Sequence, residues 1–426
     1  MNLSSWGKVK EIINPASYIV KNLSDEIPKL DQCIPRGNGR SYGDSSLYKS
    51  IISYKPLDPI INFLPNNIIE VSSDILFSNL LEIIIPRGLL LPVMPGTSFV
   101  TIGGAIASDI HGKNHHISGS ISSFVEEIKL LTGNGEIYDI TPKKHSELFY
   151  ATLGGMGLTG LIISAKIKLL SISSPLIHQE VRRIYSLDES INALESSQSN
   201  YSTGWLDLTM KKNIKGIIFY GDHNLDSSLS DKAPSRFLSI PKHMPNNLLN
   251  KLTIYIFNKL YFLRNRNNFS LIHLRDFFFP LDSLRNWNNF YGSKGLLQFQ
   301  PIFPTQNSRK AIAEIHKYIH TNKMTPMLAV IKNYKKGNDD YLSFAIEGIS
   351  IAIDFVNSRH NRFHVKNMNK LVQKYDGKIY LSKDFLLDEE SFKTFYPNWK
   401  KFNQIRKEYG SDIFTSNQSI RIGLDQ

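Results

Sequence analysis

Along the first 170 residues the hydrophobic positions come in short β-branched runs broken by glycine. Ile51–Tyr54, Ile68–Val71, Glu126–Leu131, Glu136–Ile140 and Leu161–Leu169 predict strands. Thr132-Gly133-Asn134-Gly135 predicts a hairpin turn through its Asn-Gly pair. Helical spacing predicts a helix over Asp74–Ile85, stopped by Pro86, and a shorter one over Ser146–Tyr150. This is an α+β pattern built around turns. Beyond the Ser/Pro seam at Ser171–Pro175 the elements lengthen, with strands at Gly216–Tyr220, Leu296–Phe303 and Ile349–Phe355 and helices at Thr305–Lys323 and His364–Tyr375. A strand at Gly377–Leu381 and a helical tail over Glu389–Glu408, broken or kinked at Pro397, close the chain.

Composition narrows the class. A chain of 426 residues suggests two or three domains, and 41% hydrophobic with 21% charged residues is a globular balance. Disorder, collagen and a disulfide scaffold are excluded. Fifty Lys and Arg against 38 Asp and Glu leave a net charge of +12, which favours an anionic partner: a phosphate-bearing ligand, nucleic acid or an acidic membrane surface. Nucleic acid ranks last, because the cations are dispersed and no recognition motif accompanies them. Cys33 is the only cysteine, so no internal disulfide is expected and a reducing, cytoplasmic setting follows. Met1–Ile13 lacks the apolar core of a signal peptide. The best spanning candidate, Leu80–Met94, is broken by Glu82, Pro86 and Arg87.

Three glycine loops carry the candidate chemistry. Pro35-Arg36-Gly37-Asn38-Gly39-Arg40-Ser41-Tyr42-Gly43-Asp44 combines arginines with glycines in the way a diphosphate-binding backbone would, although a plain surface turn has the same composition. Pro95-Gly96-Thr97 and Thr101–Lys113 are rich in small residues that let a ligand press against the main chain. Gly155-Met156-Gly157-Leu158-Thr159-Gly160 matches GxGxxG but runs into a strand-like segment, so the Rossmann reading fails. Neither a P-loop nor a GxSxG elbow occurs. His111, His115 and His116 lack the helical alignment and the cysteine partners of a zinc set, so no metal is expected.

Read together, Arg36–Asp44, Gly103–His116, Gly154–Gly160, Phe279–Asp282, Leu297–Gln300, Tyr380–Asp384, Tyr396-Pro397 and Trp6-Gly7 resemble the vanillyl-alcohol-oxidase / p-cresol-methylhydroxylase (PCMH-type) flavin superfamily. Within it the chain is most similar to the decaprenylphosphoryl-β-D-ribose 2′-oxidase family, over essentially its whole length. The resemblance implies an α+β fold: a two-part FAD-binding domain at 1–174, an inserted antiparallel-sheet-plus-helices substrate domain at 175–377, and a segment at 378–426 returning to the FAD domain. It also implies FAD as cofactor, contacted by Arg36, Gly37, Asn38, Gly39, Arg40, Ser41, Tyr42, Gly96, Thr101, Ile102, Gly103, Gly104, Ser108, Asp109, Ile110, His111, Ile162 and Tyr380. Glycine amides and helix N-terminal turns suit a pyrophosphate. Related aldonolactone and alditol oxidases carry a flavin-linked histidine where this chain has Tyr42, so non-covalent FAD is expected. Their His-Trp-x-Lys element is here Asn398-Trp399-Lys400, without the histidine.

The family's chemistry is oxidation of a secondary alcohol, in which a hydroxyl proton is lost and a hydride passes to flavin N5. The resemblance places Lys383, His111 and Tyr42 at the catalytic centre. Lys383 would hold the substrate hydroxyl and balance charge near flavin N1; otherwise it is a surface lysine beside Asp384. Gln298, Gln300, Lys332, Ser350 and Lys383 match substrate positions, and Gln298 and Gln300, two apart on a strand, share a face. Ala352, Ser350 and Phe278 stand where the family carries a cysteine, an asparagine and a tyrosine, so the sugar side departs from the pattern more than the flavin side. The implied substrate is a polyprenyl-phosphate-linked pentose oxidised at C2′, with a short-chain reductase completing an epimerisation. A soluble alditol or aldonolactone oxidase and a non-catalytic flavin- or polyprenyl-phosphate-binding envelope protein are the alternatives.

A lipid-linked substrate gives the segment 228–266 a second meaning. It carries Lys232, Arg236, Lys242, Lys251, Lys259, Arg264 and Arg266 against a single acid, Asp231, interleaved with aromatic and aliphatic residues. From Asn247 on, this pattern suits a helix lying in an anionic membrane interface, as a mobile flap over the pocket, or else a core helix of the substrate domain.

Overall fold

The computed structural model describes residues 2–22, 32–212, 214–226, 238–242, 244–245, 248–337 and 341–425. Lys232, Arg236, Asn247 and the end of the polar Lys335–Asp340 stretch lie outside them.

The first 170 residues build two main sheets. Strands β1 (Ala16–Val20), β2 (Ile34–Pro35) and β3 (Ser50–Tyr54) form a small parallel sheet with β3 central. Strands β4 (Ile61–Leu64), β5 (Ile68–Ser72), β6 (Val125–Leu131), β7 (Ile137–Ile140) and β8 (Leu161–Lys168) form an antiparallel sheet in the order β7-β6-β8-β5-β4. The expected hairpin between β6 and β7 closes over Thr132–Glu136. Helices α1 (Phe77–Ile84), α2 (Ile102–Ala107) and α3 (Ser146–Thr152) pack around these sheets. The first starts three residues later than its periodicity predicts, because Leu76 stays extended and bridges Thr101 while the Phe77 N–H donates to the Val100 carbonyl. Pairing with a distant loop there overrides local helical preference.

From Leu176 a nine-stranded antiparallel sheet takes over, built from β9 (Leu176–Ile184), β10 (Tyr201–Asp207), β11 (Lys215–His223), β12 (Asn268–His273), β13 (Leu296–Phe299), β14 (Pro301–Pro304), β15 (Ala329–Tyr334), β16 (Gly348–Val356) and β17 (Lys378–Ile379). Its order is β12-β9-β11-β10-β15-β16-β14-β17, with β13 also beside β16. The predicted strand Leu296–Phe303 is thus two strands. Both keep one register against β16 (Leu296 opposite Val356, Ile302 opposite Ser350), and the ladder lapses at Gln300-Pro301, where proline has no N–H to give.

Helices α4 (Leu187–Glu195), α5 (Lys251–Arg264), α6 (Leu274–Phe278), α7 (Thr305–Thr321), α8 (Arg359–Lys374), α9 (Glu389–Phe395), α10 (Trp399–Glu408) and α11 (Asn417–Arg421) complete the chain. α8 starts five residues before its apolar periodicity begins, capped by Ser358, whose hydroxyl accepts from the Asn361 N–H. The tail is two helices, parted at Tyr396–Asn398 around Pro397.

Side chains two apart share a sheet face, and register carries that face across strands. Ile217, Trp205, Val330 and Ala352 are opposite one another in turn across β11, β10, β15 and β16, and Lys332 faces Ser350 as Gln298 faces Asp354. On the other face Ile331, Ile351, Ile353 and Phe355 are fully buried in one core with Ile312, Ile315, Val365 and Met368 of α7 and α8. The polar face is therefore the one left for a site. The C-terminal tail returns to the first sheets: the Arg406 guanidinium, 2% exposed, donates to the carbonyls of Leu158 and Phe414 and pairs with Asp425. Among the described residues, no helix is long and apolar enough to cross a membrane.

Candidate active site

A cavity of about 600 Å³ lies between the glycine loops and the polar face of the large sheet. Every anticipated cofactor and substrate residue lines it except Ile102 and Asp109. Ile102 points into the core. Asp109, at a positive φ of 39°, accepts from the Ser122 N–H and the Ser343 hydroxyl and so ties its loop down from behind.

The first loop is fastened by its own polar side chains. The Arg36 guanidinium donates to the carbonyls of Ser46 and Ser4, which ties the loop to two other segments. Asn38 and Arg40 both donate to the Phe99 carbonyl, and Arg40 stacks 4.2 Å over Trp6. The Tyr42 N–H donates to the Ser382 carbonyl, which brings Tyr42 beside Lys383. Glycine is required where loops meet: a Cβ on Gly37 would lie 2.3 Å from the Thr101 hydroxyl. That hydroxyl caps α2 by accepting from the Gly104 N–H. A Cβ on Gly96, by contrast, would meet no atom within 4 Å and would project into open space.

The far wall is cationic. Lys332 and Lys383 stand there half-buried, and loss of hydration pulls their ammonium groups down to about 8 and about 7. Beside the cavity Lys113 is pulled to about 7 by burial, then by Lys332; it donates to the Phe277 carbonyl. The Lys383 Nζ lies 3.6 Å from the Tyr42 ring centre. His111 is spanned by the Tyr334 hydroxyl at its Nδ1 (2.8 Å) and the Gln300 side-chain amide at its Nε2 (3.1 Å). Burial, then Lys332, holds it well below the ordinary histidine value, so it is neutral at pH 7.

Two residues of this wall, Tyr334 and Asp354, and two behind or beside it, Tyr291 and Lys113, escaped the sequence reading as site residues. Asp354 is the most consequential. It is fully buried, accepts from Gln298 Nε2 at 2.6 Å and from the Tyr291 hydroxyl at 3.3 Å, and burial raises it to about 6 against the lowering effects of Gln298 and Lys383. Its signal was an acid ending an otherwise apolar alternation, Ser350-Ile351-Ala352-Ile353-Asp354, on the same face as Ser350. The alternative placing Lys383 on the surface beside Asp384 is overturned. Lys383 is half-buried in the cavity wall, Asp384 is buried, and Asp384 pairs with Arg421, which also holds Asp44 of the first loop.

A flat anionic dinucleotide suits this lining: glycine walls allow close backbone approach, and half-buried cations face the open space. The bound group would rest between the loops of Arg36–Tyr42 and Thr101–Ser108, with Tyr380, whose hydroxyl donates to the Ser108 carbonyl, closing one side.

Comparison with known proteins agrees. The model of an FAD binding domain matches residues 29–141, and that of D-arabinono-1,4-lactone oxidase matches residues 302–420. The chain is 34% identical to the decaprenylphosphoryl-beta-D-ribose oxidase of Mycolicibacterium smegmatis, covering 92% of this chain and 89% of that protein. An uncharacterized protein of Streptomyces coelicolor is 24% identical over 81% of the chain and 99% of its own length. Cytokinin dehydrogenase 9 of Oryza sativa subsp. japonica is 30% identical over 32% of the chain and 27% of its own length. With the glycine cradle, the lysine-lined wall and a relationship running nearly end to end, the chain belongs to the decaprenylphosphoryl-β-D-ribose oxidase family of FAD-dependent oxidoreductases.

Proposed function

We propose that this enzyme oxidises the 2′-hydroxyl of a polyprenylphosphoryl pentose, the first half of a 2′-epimerisation that a short-chain reductase completes. The observation that carries the reading is the near-full-length relationship to an oxidase of that substrate class. The bound flavin supplies the two-electron acceptor. The chain supplies position and proton control. Lys383, poised at about 7, holds the substrate hydroxyl and takes up its proton at Nζ, and Asp354 tunes it from within the wall. His111, neutral and held at both nitrogens, orients the sugar together with Gln298, Gln300 and Ser350. Lys332 provides the cation for the phosphate.

The chain divides for this purpose into a cofactor part at 1–174, a substrate part at 175–377 and a returning segment at 378–426. FAD is held without a covalent bond, because Tyr42 replaces the linking histidine of related oxidases. The enzyme acts from the cytoplasmic side at the surface of the membrane that holds its substrate.

A soluble aldonolactone or alditol oxidase is the second reading, favoured by the lactone-oxidase model over 302–420. Anaerobic flavin bleaching separates the two. Polyprenylphosphoryl ribose should bleach the protein while free alditols and aldonolactones leave it yellow; the reverse result establishes the second reading. Acid precipitation should release all FAD to the supernatant, and flavin retained on the denatured chain would overturn the non-covalent attachment.

A further inference from the structure

Helix α5 is built the wrong way round for a globular surface. Only Ile254, Asn258 and Phe262, a single i, i+4, i+8 stripe, are buried against the sheet, so it is no core helix. The ridge opposite that stripe is Leu252, Ile256, Leu260 and Leu263, exposed at 65%, 47%, 61% and 52%, flanked by exposed Tyr255 and Phe257. A helix that turns its aliphatic side to water costs free energy unless something covers it.

The helix is nonetheless firmly seated. Asn250 caps it with a full capping box, Asn258 donates to buried Asp207 at 2.8 Å, and Arg183 donates to the carbonyls of Phe262, Leu263 and Asn265 at its C-terminal end. The expectation of a mobile flap therefore gives way to a fixed platform. Its position is set by register: Phe262 packs with Trp205 and Ile217, on the same sheet face as Val330 and Lys332. Leu328, which lines the cavity, packs against that same cluster. The platform thus flanks the cavity.

Charge selects what covers it. Between Asp231 and Asp276 the sequence has eight Lys and Arg and no Asp or Glu. Lys251, Lys259 and Arg264 stand exposed on the helix itself, and Lys242 and Arg266 flank it. We propose that the outward face of α5 docks on an anionic lipid bilayer, its aliphatic ridge entering the headgroup boundary and its cations meeting lipid phosphates. The proposal rests on the lipid-linked substrate above: the platform holds the cavity against the bilayer, so the sugar reaches the flavin while the polyprenyl tail stays in lipid.

The test is co-sedimentation of the full-length holoenzyme with phosphatidylglycerol/phosphatidylcholine vesicles, with pure phosphatidylcholine as control and no substrate present. Binding should require the anionic lipid and weaken with salt. At roughly fivefold per basic residue near an anionic surface, Lys251→Glu, Lys259→Glu and Arg264→Glu together should lower it by about a hundredfold or more. Leu252→Ser with Ile256→Ser should abolish it at low salt as well. All five positions are exposed, and retained flavin absorbance reports an intact fold. Absence of vesicle binding, binding unaffected by the substitutions, or an apolar variant that only changes a dimer into a monomer overturns the docking. Bleaching by detergent-dispersed polyprenylphosphoryl ribose should be unchanged in all variants. If no polyprenylphosphoryl pentose bleaches even the unmodified enzyme, the substrate reading falls, whatever the vesicles show.

Discussion

The Lys383 Nζ lies 3.6 Å from the centre of the Tyr42 ring, joining a loop from the first fifty residues to one near the end of the chain. The π-face offers the cation a partner without the tight ion pair that would fix its charge. A half-buried lysine resting on a ring and facing a largely ionised Asp354 can hold or release a proton near neutral pH.

Lys383→Ala should keep its FAD and lose substrate-dependent bleaching by about 100-fold or more, the scale of a general acid–base residue. Stopped-flow reduction of the yellow variant checks this. A near-normal reductive rate would remove Lys383 from the proton transfer.

Asp354 tests the coupling. Its charge raises the Lys383 value, which burial alone would take lower. Asp354→Asn should therefore move the acid limb of the reductive pH profile, expected near 7, to lower pH, with FAD retained and the rate down about tenfold. A purely structural role would change the rate and leave the limb in place. Stability carries its own signature. The folded lysines bind protons less readily than unfolded ones, so between about pH 7 and 10.5 the unfolded state holds more protons and stability rises with pH. The folded Asp354 binds its proton more readily than the unfolded 3.8, so between about pH 4 and 6 it makes stability fall with rising pH. Thermal melts of Asp354→Asn apoprotein should lack that acid-side component.

Gly96→Val separates cofactor exclusion from misfolding. Its side chain would meet only the cavity, so the chain should fold with an unchanged melting temperature as apoprotein and purify colourless. Gly104→Val, whose Cβ would stand 3.0 Å from the capping Thr101 hydroxyl, should lose FAD and also loosen α2. A yellow Gly96→Val protein would move the flavin away from that loop.

Arg421 pairs with Asp44 at 2.7 Å and Asp384 at 2.9 Å, both acids buried. Arg421→Met leaves two buried carboxylates facing each other uncompensated. It should cost about 3–5 kcal/mol in urea unfolding and weaken FAD retention, because Asp44 ends the glycine loop that lines the cavity and Asp384 adjoins Lys383. Mutation of exposed Lys400 should do neither.

Local pattern determined a good deal here. Period-2 runs marked β3, β5, β6, β8 and β16, because a strand half-buried on a sheet must alternate, and glycine strings marked loops that line the cavity, because close backbone approach excludes side chains. The shared face of Gln298 and Gln300 followed from the same alternation. Tertiary structure decided what alternation cannot express. Whether a polar residue on a strand meets water or a ligand depends on which sheet face the helices cover, and that made Asp354 and Lys332 part of a site. Arg36 was legible as a loop arginine, yet only tertiary structure supplied the Ser4 and Ser46 carbonyls that hold its guanidinium. Periodicity likewise predicted a helix near α5 without saying which side faced inward. That was settled by the packing of Phe262 on Trp205 and Ile217 and the bond from Asn258 to Asp207, which bury that stripe and leave the richer apolar ridge outside.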